Sequence, residues 1–383
     1  MGPPDIIIVG AGIIGVSLAL ELRERGASVM VLDRSMPGQE ASSAAAGMLA
    51  AADPETPVAL RDFAMESARL YPEFVAKVER LSDISVDFRR QGTIILSEPD
   101  GLSEPDGLSE PNRLSEPDGL SESGEKHTVP SEYRNLSAPE IAAMEPALKS
   151  DGHSAYWLAE DSVDPVLLMK ATVRAAEIAG VEIQSGMSVD EIKFHGSQME
   201  VIGHKFRLTA KTVVDCRGAW SGTPVIPKKG QMLYLQPQRP GLLQHVVRAP
   251  GAYIVPRSSG RILVGTTVED AGFDKTVHLA TIERLHQAAA RYVPELTSAR
   301  VSESWAGLRP GTPDDLPILG PAEAGPNETP GLFIASGHFR NGILLAPLTA
   351  VVMANVIEGK PAGVEMAAFS PARFAATRVN KAS

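Results

Sequence analysis

The sequence predicts an α/β protein with two domains, in which a domain built on a parallel sheet is interrupted by an antiparallel sheet. Three observations predict this architecture. The chain opens on an apolar run that ends in a glycine-rich turn, and alternating strand and helix patterns return between residues 164 and 215. Between residues 226 and 268 the apolar residues instead recur at every second position, in short segments that Gly and Pro separate. That pattern is typical of antiparallel strands, so the chain as a whole is also of the α+β type.

The N-terminus carries a glycine fingerprint for phosphate binding. The β-branched run Ile6–Val9 predicts a buried parallel strand. Of the glycines that follow, Gly10 permits a tight turn, Gly12 lets the backbone approach a pyrophosphate, and Gly15 lets the next helix pack on the strand. Such a glycine pattern is a weak signal by itself, so the elements after it decide its interpretation.

The elements after the glycines complete a nucleotide-binding unit. Residues 16–25 have the pattern of a helix that Gly26 ends, and Val29–Leu32 predicts the second strand. Asp33 follows that strand at the position suited to the hydroxyl groups of a ribose. The unit therefore predicts dinucleotide binding, and the acid argues against the 2′-phosphate of NADP.

Composition and charge exclude several classes of protein. The 383 residues include 43% hydrophobic and 22% charged residues, which is ordinary for a globular protein of two domains. A net charge of −11 argues against a nucleic-acid-binding surface. The single cysteine, Cys216, excludes an internal disulfide and a cysteine metal cluster, and we predict no metal site. Residues 6–20 are apolar, but no basic segment precedes them, so we expect a cytoplasmic protein without a membrane span.

Residues 96–123 form a low-complexity insert. The segment repeats the hexapeptide Leu-Ser-Glu-Pro-Asp-Gly with small variations. Because proline, glycine and acids dominate it, the segment cannot bury a core, and we expect a disordered expansion of a β-hairpin loop. A calcium- or partner-binding array is the alternative, which the prolines disfavour because they prevent a regular set of ligands.

The alternating pattern of predicted helices and strands returns after the insert. Asp164 and Pro165 predict the start of a helix that Gly180 ends. A second helix, at residues 277–292, is amphipathic and is expected to lie on the antiparallel sheet. We therefore predict a nucleotide-binding domain formed by residues 1–84, 141–223 and 305–383. The second domain is predicted to comprise residues 85–140 and 224–304.

Two segments near the C-terminus place arginines in settings that suit anions. Arg309 stands beside a proline in what reads as a glycine-flanked turn, and Arg340 precedes an apolar run at residues 343–353 with the pattern of a helix. A helix N-terminus carries unpaired N–H groups and about half a positive charge, so it stabilises negative charge. Arginine also presents a planar fork of donors that matches a carboxylate.

Five motifs together resemble the D-amino-acid oxidase superfamily, and within it the glycine oxidases of the thiamine pathway. They are the N-terminal fingerprint and residues 42–48, 253–257, 306–311 and 337–342. The resemblance covers nearly the whole chain except the insert. It implies a Rossmann-type FAD-binding domain interrupted by an antiparallel-sheet substrate domain, non-covalent FAD, oxygen as the electron acceptor, and a homotetramer.

The resemblance also implies a reaction. Glycine would be oxidised to an imine with formation of hydrogen peroxide, and water would hydrolyse the imine to glyoxylate and ammonia, in the service of thiazole synthesis for thiamine. Sarcosine and small D-amino acids are expected as further substrates. Arg309, Arg340 and Tyr253 are expected to bind the substrate carboxylate. No residue is expected to act as acid or base, because hydride transfer to flavin needs only a neutral amine. Val268 stands where glycine oxidases have a methionine, which favours bulkier amines.

The cofactor contacts implied by the resemblance lie in several segments. Ser42 and Ser43 precede a run of small residues and read as helix caps near a phosphate. Small residues after them would leave room for the flavin ring, and backbone N–H groups of residues 338–344 would stabilise its negative charge. The expected set is Gly10, Gly12, Ile13, Ile14, Gly15, Asp33, Arg34, Ala41, Ser42, Ser43, Ala46, Gly47, Met48, Val189, Gly218, His338, Phe339, Asn341, Gly342, Ile343 and Leu344.

Four other functions remain open from the sequence. The first is a D-amino-acid or sarcosine dehydrogenase that uses an acceptor other than oxygen, and the second is a non-catalytic flavoprotein that binds a partner through its insert. The third, a tRNA-modifying flavoenzyme, is disfavoured by the acidic charge balance. The fourth, a dehydrogenase that uses only NAD, leaves residues 42–48 and Arg340 without a role. Peroxide production and a yellow purified protein would separate these alternatives.

Overall fold

A computed structural model describes residues 2–97, 133–150, 152–195, 198–222, 224–322 and 331–374. The predicted disorder of the insert lies outside the described residues from position 98 onward, while Leu96 and Ser97 end a strand. The chain divides into two compact units. Unit 1 comprises Met1–Phe88, Val163–Lys228 and Gly307–Ser383, and unit 2 comprises Arg89–Ser162 and Lys229–Ala306.

The described residues form the following regular elements. The strands are β1 (Ile6–Val9), β2 (Val29–Leu32), β3 (Met48–Leu49), β4 (Phe88–Arg89), β5 (Thr93–Ser97), β6 (Arg134–Asn135), β7 (Ser154–Leu158), β8 (Asp161–Val163), β9 (Glu182–Gln184), β10 (Val189–His195), β11 (Gln198–Gly203), β12 (Phe206–Ala210), β13 (Thr212–Asp215), β14 (Ile226–Gln236), β15 (Val246–Ala249), β16 (Ala252–Pro256), β17 (Ile262–Gly265), β18 (Arg300–Gly311), β19 (Ile318–Pro321) and β20 (Leu332–Ser336). The α-helices are α1 (Ile13–Glu24), α2 (Ala41–Ala44), α3 (Val58–Ser82), α4 (Ala138–Met144), α5 (Pro165–Ile178), α6 (Leu279–Tyr292) and α7 (Gly342–Ile357).

Unit 1 is built on a six-stranded sheet with the order β19-β20-β13-β1-β2-β9. All neighbours in it are parallel except β19, which runs antiparallel to β20 at one edge. Ile6 and Ile8 of β1 face a core that helices α1, α3, α5 and α7 share, whereas Ile7 and Val9 face a second core beneath the sheet β10-β11-β12. Because β1 is buried on both faces, its sequence is continuously apolar.

Two helices of unit 1 show how the sequence sets their ends. α1 begins at Ile13, three residues earlier than predicted, because Gly12 is its N-cap and Gly15 is accommodated in its first turn. α5 begins at Pro165 as predicted, and the Asp164 carboxylate accepts hydrogen bonds from two N–H groups of its first turn at 2.9 and 3.1 Å. Those two bonds satisfy donors that the helix itself cannot pair.

Most strands of unit 2 belong to an eight-stranded sheet with the order β18-β14-β17-β16-β15-β5-β7-β6. Apolar residues from one face of the sheet pack against α6. The predicted domain boundary at residue 141 differs from the structure, because residues 141–162 belong to unit 2. The physical reason is that β7 pairs antiparallel with β5, on the other side of the insert, and so continues the sheet of unit 2.

Phe339–Ile357, which contains α7, is long and apolar enough to cross a membrane by length and composition alone. In the structure α7 packs against α1 and α3, and 61% of its most apolar window is buried. Its residues form part of the main core of unit 1. The burial of α7 explains its composition, because a core helix contacts apolar neighbours on nearly all sides.

Candidate cofactor site and substrate-binding residues

Two glycines of the fingerprint, Gly10 and Gly15, lie where side chains cannot. Gly10 has a φ of +112°, and a Cβ atom on it would overlap the carbonyl oxygen of Cys216. A Cβ atom on Gly15 would overlap the carbonyl oxygen of Gly10, so the helix packs directly on the turn. The roles predicted for a tight turn and for close packing of the helix are thus seen in the geometry.

Asp33 holds this turn from the end of β2. Its carboxylate accepts hydrogen bonds from the N–H groups of Ala11 at 2.7 Å and of Ser35 at 2.8 Å. Its carbonyl oxygen accepts from the Met187 N–H at 2.7 Å, which anchors the chain just before Val189 in β10. A carboxylate can accept about four hydrogen bonds, so these contacts leave capacity for the predicted ribose hydroxyls.

The N-terminus of α1 contains no negative charge that would repel an anion. Its N-cap is Gly12, and its first turn contains no acidic residue. Ser42 was predicted to cap the small-residue run that follows it, but this prediction was wrong. Ser42 instead lies within the short helix α2, and its hydroxyl oxygen accepts a hydrogen bond from the Ile13 N–H at 2.9 Å. Ser42 therefore satisfies one donor of α1, and the dipole of α1 faces the glycine turn.

Small residues in two further segments allow close backbone approach. Gly47 has a φ of +71°, and a Cβ atom on it would overlap the carbonyl oxygen of Val163. Arg309 lies in the strand β18, so the predicted glycine-flanked turn is wrong. Gly307 permits a close approach of the strand to Ala44, since a Cβ atom at position 307 would lie only 2.6 Å from the Cβ of Ala44. Glycine in a strand often marks such an approach.

The predicted flavin-edge segment precedes and begins α7. Gly337 and Phe339 both have positive φ, of +75° and +44°, and a single 3-10 turn, Phe339–Asn341, leads into the helix. A positive φ at phenylalanine is strained, and such strain clusters at functional sites. The first turn of α7 contains no acidic residue, so its N–H groups are suited to negative charge.

His338 is a buried, neutral residue. Its side chain is 2% exposed, and its Nε2 atom lies 3.2 Å from the hydroxyl of Thr349. Burial lowers the pKa of His338 to about 3, because the charged imidazolium is poorly solvated there. A base with so low a pKa is a poor proton acceptor near neutral pH, which supports the expectation that His338 orients its neighbours.

Acidification is expected to destabilise the protein through His338. The pKa of the folded protein, about 3, lies below the ordinary value of 6.5, so the unfolded chain binds the proton first. The stability that the neutral ring contributes is present above pH 6.5 and is lost as the pH falls toward 3. From pH 7 to pH 5 the loss should be about 2 kcal/mol, measured by urea unfolding. A His338→Gln variant should lack this component, and an unchanged pH dependence in it would contradict the assignment.

Arg340 is paired with a residue that the sequence did not suggest. Its guanidinium forms an ion pair with Glu55, in the loop before α3. Burial lowers the pKa of Arg340, and the charge of Asp53 opposes that shift. Arginine stays protonated in proteins, so the guanidinium remains a cation. Glu55 lies far from Arg340 in the sequence, and no motif connects the two positions.

Two other residues of unit 1 bear on cofactor binding. The guanidinium of Arg34 lies 3.7 Å from the ring centroid of Trp220 and forms an ion pair with Glu40 at 2.6 Å. Cys216 is buried, and burial raises the pKa of its thiol. A protonated, buried thiol is unreactive, which supports the expectation of non-covalent FAD.

In unit 2, Tyr253 lies in a row of residues across the sheet. Its direct partners on the neighbouring strands are Arg248 and Gly265, so the Tyr253 and Arg248 side chains point to one face. The opposite face is the one that packs on α6. Arg248 is buried and forms an ion pair with Glu160 at 3.0 Å. Sequence reasoning missed this buried pair, because Arg248 in β15 and Glu160 after β7 are 88 positions apart and share no motif.

The mostly parallel sheet, the glycine turn and a helix N-terminus without acidic residues are typical of a dinucleotide-binding domain. The chain belongs to the FAD dependent oxidoreductase (DAO) family, whose sequence profile matches residues 5–356. The predicted family, the mixed α/β fold class and the FAD cofactor are thereby confirmed, and at the level of the family so is the FAD-dependent amine oxidase class.

Similar proteins support this assignment along the whole chain. Glycine oxidase from Geobacillus kaustophilus is 32% identical over 390 residues, which cover 96% of this chain and 97% of the relative. The crystal structure of that enzyme superimposes with a TM-score of 0.84, covering 97% of this chain and 98% of the other. The bifunctional protein ThiO/ThiG from Trichormus variabilis is 35% identical over 97% of this chain. The chain spans about half the length of the bifunctional relatives that it matches, 55% in this case.

Proposed function

We propose that this protein oxidises glycine, using FAD as its cofactor and oxygen as its electron acceptor. The observation that carries the proposal is the combination of near-complete coverage of glycine oxidase relatives with arginine at positions 309 and 340 and tyrosine at position 253. In this proposal unit 1 binds FAD, and Arg309, Arg340 and Tyr253 are the residues assigned to the substrate.

The residues of the chain would bind and orient rather than react. Bound FAD supplies the acceptor for a hydride from the amine-bearing carbon. Arg309 and Arg340 would bind the substrate carboxylate through charge-assisted hydrogen bonds, to which the Tyr253 hydroxyl would add a donor. The N-terminus of α1 would stabilise the pyrophosphate, and that of α7 would stabilise negative charge on the ring. His338, being neutral, would exchange no proton with the substrate.

The substrate range and products follow from the same proposal. Glycine would yield an imine, which water converts to glyoxylate and ammonia, while oxygen is reduced to hydrogen peroxide. Sarcosine and small D-amino acids are proposed as further substrates, since Val268 is smaller than methionine. The similarity to bifunctional ThiO/ThiG proteins supports a role in supplying the imine for thiazole synthesis. We also propose a cytoplasmic homotetramer, which light scattering on the purified protein would test.

Anaerobic mixing of the yellow protein with glycine, sarcosine and D-alanine tests the proposal. Glycine is expected to bleach the flavin absorbance, and admission of air should restore it with stoichiometric peroxide. Bleaching without peroxide would replace the oxidase by a dehydrogenase. A flavin that none of the three amines bleaches would overturn the proposed activity and favour a non-catalytic flavoprotein.

A further inference from the structure

A proline interrupts the hydrogen-bond ladder of α7 close to its N-terminus. Pro347 has no N–H, so the carbonyl oxygen of Ile343, four residues earlier, cannot receive the usual helical hydrogen bond. The Tyr71 hydroxyl of α3 donates a hydrogen bond to this oxygen at 2.8 Å. A side chain of a neighbouring helix therefore replaces the main-chain donor that the proline removes.

A second hydroxyl group of α3 contacts the next pair of main-chain hydrogen-bonding groups in α7. The Ser67 hydroxyl donates a hydrogen bond to the Leu344 carbonyl oxygen at 2.7 Å and accepts one from the Leu348 N–H at 3.3 Å. Leu344 and Leu348 are four residues apart, so the hydroxyl bridges a donor and an acceptor that a regular helix would pair directly.

Both hydroxyls are placed by the helical repeat of α3 and are deeply buried. Ser67 and Tyr71 are one turn apart on the same face, and the side chain of each is 0% exposed. Burial raises the pKa of Tyr71, so its hydroxyl stays protonated and remains a donor. Because both residues are fully buried, bulk solvent does not contact either hydroxyl.

We propose that Ser67 and Tyr71 are positioning residues for the first turn of α7, and that through it they set the affinity for FAD and the stabilisation of negative charge on its ring. Gly342, Ile343 and Leu344 form that turn, and Pro347 weakens its connection to the rest of the helix. The direction of its N–H groups is thus determined by α3. The inference rests on FAD as the cofactor and on the proposed place of the turn beside the ring, and it does not depend on the substrate.

The experiment compares three variants of the holoenzyme. Tyr71→Phe and Ser67→Ala each remove one hydroxyl that contacts α7. Thr172→Val is the matched control, because the Thr172 hydroxyl is also 0% exposed and donates to a carbonyl oxygen, that of Leu168, at 2.8 Å, but within α5. For each protein we would measure the release of FAD on dilution, the flavin reduction potential, and deuterium exchange of the amides of residues 343–348.

Tyr71→Phe is expected to raise the dissociation constant for FAD about tenfold, the effect of one lost hydrogen bond. Its reduction potential should become more negative, and its amides in α7 should exchange faster. Ser67→Ala should change all three quantities in the same direction. Thr172→Val should leave the FAD dissociation constant within about twofold of the parent, although it loses a comparable buried hydrogen bond.

Equal FAD affinities and potentials in Tyr71→Phe, Ser67→Ala and Thr172→Val would overturn the inference, since the hydroxyls would then contribute only to stability. If Tyr71→Phe does not fold, Ser67→Ala decides the question by the same measurements. Because none of these readouts uses an amine, a failure of the proposed glycine oxidation would leave the inference testable.

Discussion

Replacement of Gly10 by alanine is expected to abolish FAD binding. The residue has a φ of +112°, which a side chain disfavours, and the new Cβ atom would overlap the main chain at Cys216. Neither β1 nor β13 can move aside, because both are paired and buried at this point. We expect the turn to open, so that the N-terminus of α1 no longer faces the pyrophosphate and the protein is purified colourless.

Gly26→Ala is the matched control for this experiment. Gly26 has a similar φ of +98°, at the end of α1, but a Cβ atom on it would meet no heavy atom within 4 Å. The control therefore carries the cost of the left-handed conformation, about 1 kcal/mol, without the clash. Flavin content would be measured by absorbance in both proteins. A Gly10→Ala protein that retains FAD as the control does would show that the turn is not a cofactor site.

Replacement of Arg309 by methionine is expected to lower kcat/KM for glycine by about 10²- to 10³-fold, because the substrate carboxylate would lose a charge-assisted partner. Flavin content should be unchanged, since Arg309 is proposed to contact only the substrate. Arg309→Lys should recover part of the activity, because an ammonium group retains the charge but not the planar fork. Initial rates of peroxide formation across glycine concentrations measure these effects.

Arg300→Met is the control for the loss of a positive charge. Arg300 begins the same strand, β18, and is exposed. It should leave kcat/KM within about twofold of the parent, as expected for a surface substitution. If Arg300→Met and Arg309→Met were equally active, the carboxylate would have to bind elsewhere, and Arg340 would be the next residue to replace.

Much of unit 1 was predictable because its signals are local. β1 and β2 have the predicted bounds, since a strand buried on both faces requires a continuous apolar run. α5 begins where Asp164 and Pro165 indicate, because the cap and the fixed φ of proline act within one turn. The glycine fingerprint was equally readable, since Gly15 packs directly against Gly10 within the same turn.

The errors have a common physical cause, which is that the deciding contact is distant in sequence. Gly307 resembles a turn residue, but it is small because Ala44 lies against it in the folded chain. Ser42 resembles a cap of its own segment, but its hydroxyl reaches α1. The partners of Arg340 and of the Ile343 carbonyl oxygen, Glu55 and Tyr71, carry no sequence signal at all.

The strand order of unit 1 has a consequence for synthesis of the protein. β1 precedes the other strands of this sheet in the sequence, but its neighbour is β13, and β13 in turn pairs with β20. The core over α1 and α3 is filled by α7, which is translated later still. The last strand of the unit 2 sheet, β18, ends at Gly311, before α7 begins at Gly342, so we expect that sheet to form first. We therefore expect FAD binding to be a late event that follows translation of α7.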